Sequence, residues 1–208
     1  MSREIRTITV ELRAQDDDGR RIGGKAARFN SLSEDLYFFH EIISPGAFAR
    51  TIERDDIRSL WNHESKYLLG RNQNGTLELS EDSEGLEFVA VLPETTYADD
   101  VLALVRRGDL TQMSFGFSVI GERWPERKDW PEGIDYEAAG VQTLRVLTEV
   151  KLYEVSPVTF PAYPETSVEA REYIDGLNQA RGLADKSRAQ GRRRELAKRQ
   201  LHLLKFKG

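Results

Sequence analysis

Apolar and polar residues alternate at the start of the chain with the period of a β-strand. The alternation covers residues 5–12, and the Asp-Asp-Asp-Gly sequence at 16–19 is typical of a turn. Residues 21–29 then return as a second strand, in which Gly23 and Gly24 favour a bulge or a close backbone approach. The pattern predicts an antiparallel hairpin.

Further strand-like segments follow through the middle and the end of the chain. They cover residues 57–61, 68–71, 76–81, 86–92 and 113–120. Asn74-Gly75 and the Ser-Glu-Gly sequence at 83–85 are turn signals between neighbouring segments, so we expect a meander of antiparallel strands there. Residues 142–160 form one or two long strands.

Helical spacing occurs in three places. Ser44 is a candidate N-cap with Pro45 in the first turn of a short helix. The apolar positions of 95–108 lie on one helical side, and Gly108 is a natural stop. Beyond Pro164, apolar residues at helical spacing predict one short closing helix.

These elements define the expected fold class. Seven or eight strands and two or three helices predict a mixed α/β fold dominated by antiparallel sheet. We expect the sheet to close as a β-barrel with surrounding helices. Residues 1–178 would form this domain, followed by a basic tail at 179–208 that is disordered or helical.

Composition excludes several kinds of chemistry. The chain has 208 residues, 39% of them hydrophobic, which is enough for one core. It has no cysteine, which excludes disulfides, thiolate metal sites and a cysteine nucleophile and favours an intracellular setting. No apolar run approaches the ~20 residues that span a bilayer, so we expect no membrane association.

The net charge of −5 is unevenly distributed. From Arg181 to Gly208 there are ten Lys or Arg and two acidic residues, a net charge of +8, and the rest of the chain carries −13. An acidic body does not attract nucleic acid by its general field, whereas a basic tail can dock on an acidic protein surface or a polyanion. Nucleic acid is therefore not the expected partner.

Histidine is rare, and one of the three is placed where chemistry is plausible. His63 follows the apolar Leu60-Trp61 pair at the edge of a strand, while His202 lies in the basic tail and His40 in an irregular stretch. His63 is the best candidate for a general base. The alternative is an ordinary histidine whose hydrogen bonds are satisfied locally.

Ser114 lies in the aromatic sequence Met113-Ser114-Phe115-Gly116-Phe117. A serine is a useful nucleophile only when a base accepts its proton, so Ser114 would need His63. Gly116 would let backbone approach a substrate. The alternative is a serine hydrogen-bonded within its own sheet.

Glu154 interrupts a run of β-branched and aromatic residues, where a carboxylate must be paired or strongly perturbed. A salt bridge with an arginine is one explanation, and a hydrogen bond to His63 is another. Glu149 would face the other side of the sheet if the strand is regular, so only one of the two carboxylates should meet His63.

Taken together, the chain resembles the HK97-type prohead protease family of tailed phages and prophages. The motifs that carry the resemblance occur in order at 24–30, 41–48, 60–64, 69–71, 85–86, 107–110, 113–117, 154–159 and 161–164. The resemblance covers roughly residues 5–170.

The resemblance implies a serine endopeptidase whose fold is related to the herpesvirus assemblins, with a closed barrel surrounded by helices. It assigns Ser114 as the nucleophile, His63 as the general base and Glu154 as the group that orients His63. Glu154 is chosen over Glu149 because its strand looks like the assemblin strand that carries the third catalytic residue. This chemistry requires no metal and no cofactor.

The resemblance also implies partners and a location. The substrates would be scaffold or the scaffold-like amino-terminal region of the major capsid protein, together with the protease itself, inside the procapsid in the host cytoplasm. Similarity to the assemblins favours a homodimer. The alternative is a non-catalytic assembly or scaffolding module with the same fold.

Overall fold

The computed structural model describes residues 3–9, 12–15, 19–36 and 39–160. The closing helix expected after Pro164 and the basic tail at 179–208 lie outside the described residues. Strands dominate the described part. In that part, no helix has both the length and the apolar content to span a bilayer.

The larger sheet has six strands and contains the candidate site. Its main path runs β1 (Glu4–Thr9), β9 (Gln112–Arg123), β10 (Leu144–Val158), β5 (Arg58–Trp61) and β6 (Glu64–Arg71). β9 pairs antiparallel with both β1 and β10. β4 (His40–Ile43) and β5 pair parallel with successive parts of β10, so this sheet is mixed.

The smaller sheet is antiparallel and has four strands. Its order is β2 (Arg13–Ala14), β3 (Arg21–Arg28), β8 (Gly85–Val91) and β7 (Leu77–Glu81). This strand has a bulge, but at Ala26 rather than at Gly23 or Gly24, because the β3–β8 register shifts between Lys25 and Ala27. The close backbone approach is found at Gly23, where a Cβ atom would lie 2.9 Å from the Phe88 carbonyl oxygen.

The prediction of a closed barrel is wrong. The described strands form two separate sheets, and neither sheet pairs its two edge strands with each other. β10 is the reason that a simple barrel order fails: one of its edges pairs with β9 along most of its length, while β4 and β5 share its other edge. Alternation along a strand shows which side chains face the core but not which edges pair.

Side chains from both sheets enter one hydrophobic core. Phe115 and Phe117 of β9 are fully buried with ring centroids 5.2 Å apart. Phe48 packs edge-on against Phe115 at 5.7 Å, and Leu86 and Phe88 enter the same cluster from β8. This core fixes the inner face of β9 and β10, so the alternate residues of both strands project from the opposite face.

The described residues contain two α-helices, α1 (Ala49–Arg54) and α2 (Thr96–Arg107). Gly108 ends α2 in the left-handed conformation, with φ +78°, so the predicted stop is confirmed. The predicted cap at Ser44 is wrong, because α1 begins at Ala49 with Phe48 in the cap position. Short 3₁₀ turns cover Asn72–Asn74 and Arg127–Asp129.

A buried charge network holds β1 on the larger sheet. Arg145 is 1% exposed and donates to both carboxylate oxygens of Glu4 and to Glu41 and Glu122. Arg6 donates to Glu4 and Glu41 from the other side. Burial alone raises the pKa of Glu4, but the two arginines outweigh it and hold that pKa below its ordinary value. The network keeps β1 beside the strand that carries Ser114.

Candidate active site

His63 lies in a two-residue turn between β5 and β6. Asn62 and His63 both have left-handed backbone conformations, with φ +53° and +61°, and Trp61 pairs with Glu64 across the turn. This is the backbone of a tight hairpin turn, in which asparagine is a favoured residue. Asn62 also accepts a hydrogen bond from the Thr159 N–H at 2.9 Å and donates its own N–H to the Pro157 carbonyl at 3.0 Å. The turn is therefore fixed to the end of β10.

The imidazole of His63 is hydrogen-bonded to Glu154. Nδ1 of His63 and Oε1 of Glu154 are 2.7 Å apart, and the Glu154 side chain is 3% exposed. Ser156 donates to the other carboxylate oxygen at 2.5 Å, and Arg3 donates to Oε1 at 2.7 Å. The carboxylate thus has three partners on three different parts of the chain.

These partners keep Glu154 ionised. Burial by itself raises the pKa of Glu154, but the hydrogen bond and charge of His63, the Ser156 hydroxyl and Arg3 outweigh it, so the pKa lies below its ordinary value. An ionised carboxylate accepts hydrogen bonds only, so the shared hydrogen belongs to Nδ1 of His63. In the neutral ring, Nε2 then carries the lone pair.

Nε2 of His63 is the nitrogen that could act as a base. It is buried, and among the described residues it has no hydrogen-bond partner. Buried polar atoms without a partner are rare in folded proteins, and a catalytic role is one of the reasons for them. The ring is held at Nδ1 and available at Nε2, which is the arrangement that a general base needs.

Ser114 is fully buried on the same face of the sheet as Glu154. It is the register partner of Ser156 on β10 and of Thr7 on β1. Its hydroxyl donates to the Arg6 carbonyl oxygen at 2.9 Å and accepts from Thr7 Oγ1 at 3.1 Å. Within the described residues, its hydrogen bonds therefore run to β1 rather than to His63.

A bulge in β10 brings Tyr153 and Glu154 to one face. The β9–β10 register shifts between Leu152 and Glu154, which leaves Tyr153 as the extra residue. The Tyr153 hydroxyl lies 3.1 Å from Ser118 Oγ, on the face that also carries Ser114. The bulge also shows that β10 is not the regular strand assumed when Glu149 and Glu154 were assigned to opposite faces.

Gly116 leaves room for the Glu154 carboxylate. The two residues are register partners, and a Cβ atom added at Gly116 would lie 2.4 Å from Glu154 Oε1 and 2.7 Å from Arg3 Nη2. The sequence motif predicted a close backbone approach at this glycine. In the structure, the groups that approach it are the chain's own carboxylate and guanidinium.

We therefore expect Gly116→Ala to displace Glu154 from His63. The added methyl group overlaps Oε1, and neither β9 nor β10 can shift without disturbing the packed face behind it, so a loss of about 1–3 kcal/mol in unfolding free energy is expected. Chemical denaturation measures this loss. Gly121→Ala is the control for a clash on the same strand away from the site, since its Cβ would lie 2.7 Å from the Thr148 hydroxyl oxygen. A Gly116→Ala protein as stable as wild type would contradict the tight fit.

Glu149 contacts a different part of the chain from Glu154. Its carboxylate accepts from Arg50 of α1 at 3.1 Å and is about one third exposed. Glu154 is the carboxylate that contacts His63. It also forms a salt bridge with Arg3, so the two explanations offered for this carboxylate, a bond to His63 and a pair with an arginine, both hold. The catalytic roles of His63, Ser114 and Glu154 remain predictions.

Sequence reasoning missed two contributors to the site. Ser156 lies two residues from Glu154, and strand alternation places both on one face, so its contact with the carboxylate had a detectable signal. Arg3 precedes β1 and is 151 residues from Glu154 in sequence, and nothing in the local pattern points to it. No cluster of three or more His, Asp or Glu side chains suited to a metal occurs in the described ranges.

Serine hydrolases activate a hydroxyl with a histidine whose other ring nitrogen is held by a carboxylate, and the His63–Glu154 pair has this second contact. The family model described as caudovirus prohead serine protease matches residues 8–179 of the chain. The chain belongs to this family, which confirms the resemblance to the phage prohead proteases.

One curated relative is the prohead protease of Enterobacteria phage HK97, which is 30% identical over 163 residues. The aligned region covers 76% of this chain and 63% of the relative, so the chain spans less than two thirds of the length of that protein. No solved structure gives a significant match to the chain.

Proposed function

We propose that this protein is a serine endopeptidase of procapsid maturation, with Ser114 as nucleophile, His63 as general base and Glu154 as the group that orients His63. The observation that carries the proposal is the 2.7 Å bond between His63 Nδ1 and the ionised Glu154, which leaves a buried Nε2 without a partner among the described residues. Membership of the prohead serine protease family supports the reaction class.

The reaction begins at Ser114. In the free protein its hydroxyl is bonded to the Arg6 carbonyl and to Thr7, so the catalytic hydrogen bond to His63 forms when substrate is bound. Ser114 Oγ attacks the carbonyl carbon of the scissile bond while Nε2 takes the proton. Glu154 stabilises the resulting imidazolium, because the carboxylate lies against Nδ1 and keeps its charge.

The second half of the reaction returns the proton. The imidazolium of His63 protonates the leaving amine, and the carbon–nitrogen bond breaks to leave an ester on Ser114. Water then gives a proton to His63 and attacks the ester, which releases the acid and restores the serine hydroxyl. Ser156 holds the second oxygen of Glu154 throughout, so the carboxylate stays aligned with the ring.

The substrates that fit the family are capsid components. We propose that the protein cleaves scaffold or the scaffold-like amino-terminal region of the major capsid protein, and itself, inside the procapsid. The HK97 relative carries the name prohead protease, which supports this assignment.

Coexpression with the major capsid protein of the same phage tests the function. Intact-mass spectrometry of both chains should show capsid protein shortened by a defined amino-terminal segment, with none shortened when the protease is absent. Full-length capsid protein in procapsids that contain the folded wild-type chain would contradict the endopeptidase and support the non-catalytic scaffolding module.

Glu154→Gln tests the third member of the triad. The change keeps the size of the side chain and removes the charge that stabilises protonated His63, so we expect the cleavage rate to fall by about a hundredfold to ten-thousandfold. Glu149→Gln is the matched control on the same strand and should stay within about twofold of wild type, since its partner is Arg50. Cleavage rates are compared on proteins whose thermal unfolding matches wild type, because an unpaired buried group can also unfold the chain. A folded, fully active Glu154→Gln would exclude this role.

A further inference from the structure

Arg3 and His63 share one oxygen atom of Glu154. Arg3 Nη2 and His63 Nδ1 each lie 2.7 Å from Oε1, while Oε2 is taken by Ser156. The Glu154 side chain is buried, whereas the Arg3 side chain is 44% exposed. A cation at the protein surface therefore reaches the buried carboxylate of the proposed triad.

The position of Arg3 is supported by two neighbours besides Glu154. Its guanidinium lies over the Tyr153 ring, 5.9 Å from the centroid, where the β10 bulge presents that ring. It also lies over the bare backbone of Gly116, where a side chain would collide with Arg3 Nε and Nη2. Gly116, the β10 bulge and the Tyr153 ring together form the surface on which the Arg3 guanidinium packs.

The bond from Arg3 has a direct consequence for His63. Arg3 carries a fixed positive charge, because a guanidinium does not lose its proton in proteins. Its hydrogen bond to Oε1 fixes the same oxygen atom that accepts from His63 Nδ1. Arg3 therefore holds the carboxylate where it can orient the imidazole.

We infer that Arg3 is a positioning residue that fixes Oε1 of Glu154 and so holds the His63 ring in one orientation. The catalytic part of this inference rests on the proposed endopeptidase function. The structural part concerns the His63–Glu154 pair and holds whether or not Ser114 is the nucleophile.

Other charged or titratable groups lie on or beside the strands that carry the pair. They are Arg58 and Asp56 near β5, Glu64 and Lys66 on β6, and Lys151 and Tyr153 on β10. Arg58 is engaged by Asp56 at 2.9 Å, and Lys66 lies beside Glu64 at 3.7 Å. Lys151 lies over the same Tyr153 ring as Arg3, at 5.7 Å. Lys151 is thus a natural control: a cation on the same ring without the bond to Glu154.

NMR of the histidine rings tests the inference without an activity assay. The chain has three histidines, so His63→Asn identifies the His63 signals. In Arg3→Gln, we expect the His63 Nδ1–H proton to exchange with water about threefold to tenfold faster than in wild type, because its acceptor oxygen is no longer fixed. Arg3→Lys should restore most of the wild-type exchange rate, and Lys151→Gln should leave it unchanged.

The cleavage rate gives the catalytic readout. Arg3→Gln should lower kcat about threefold to tenfold, with KM unchanged because Arg3 acts through Glu154. An unchanged exchange rate in Arg3→Gln, or an equal change in Lys151→Gln, would overturn the inference. A wild-type chain that cleaves nothing while the exchange rates change as expected would contradict the proposed function and leave the positioning role of Arg3 standing.

Discussion

Replacing Ser114 with alanine is expected to lower the rate of capsid-protein cleavage by about a millionfold. Loss of a triad nucleophile has an effect of about this size in a serine protease. The variant should still fold. It loses the hydroxyl that donates to the Arg6 carbonyl and accepts from Thr7, a cost of about 1–3 kcal/mol, while the buried aromatic residues on either side are unchanged.

Ser118 provides the matched control for this experiment. It is on the same strand and the same face, is equally buried, and its hydroxyl lies 3.1 Å from that of Tyr153. Ser118→Ala should therefore cleave capsid protein within a few-fold of the wild-type rate. Cleavage rates are followed by intact-mass spectrometry over time. Full-rate cleavage by Ser114→Ala would exclude Ser114 as the nucleophile.

Replacing His63 with asparagine is expected to lower cleavage to a similar extent, about a millionfold, because Ser114 loses its base. Asparagine is the sharper substitution here, since His63 has φ +61° and asparagine adopts the left-handed conformation more readily than alanine. The turn is then retained while the imidazole is removed, and Glu154 keeps its bonds to Arg3 and Ser156.

His40 is the control for the loss of an imidazole. It lies on β4, which pairs with the beginning of β10 rather than with the part that carries Glu154. His40→Asn should retain the wild-type cleavage rate in the same time course. An inactive His40→Asn beside an active, folded His63→Asn would mean that the wrong histidine has been assigned.

Local signals in the sequence predicted where helices and strands lie more reliably than they predicted which strands pair. The stop at Gly108 depends on one residue in the left-handed conformation, and it was predicted correctly. β4 (His40–Ile43) was not predicted, because it is a strand only through its pairing with β10, more than a hundred residues away. Barrel closure failed for the same reason, since the partners of β10 are determined by tertiary packing.

The candidate site shows the same difference between what local sequence predicts and what tertiary contacts determine. His63, Ser114 and Glu154 were found from motif order, and the contact between His63 and Glu154 is present in the structure. The bulge at Tyr153 could not be read from alternation, because an extra residue changes the face without changing the composition. Arg3 was missed because the contact joins the two ends of the described chain.

Labelling with a fluorophosphonate tests the central claim most directly, since this reagent phosphonylates a serine oxygen that a neighbouring base has activated, with loss of fluoride. Peptide mapping by mass spectrometry should place the adduct on Ser114 in the wild-type chain, and the adduct should be absent in His63→Asn. Ser156 is the informative competitor, because its hydroxyl also lies at the Glu154 carboxylate. An adduct on Ser156 or another serine, in a wild-type chain that cleaves capsid protein, would contradict the assignment of Ser114, His63 and Glu154.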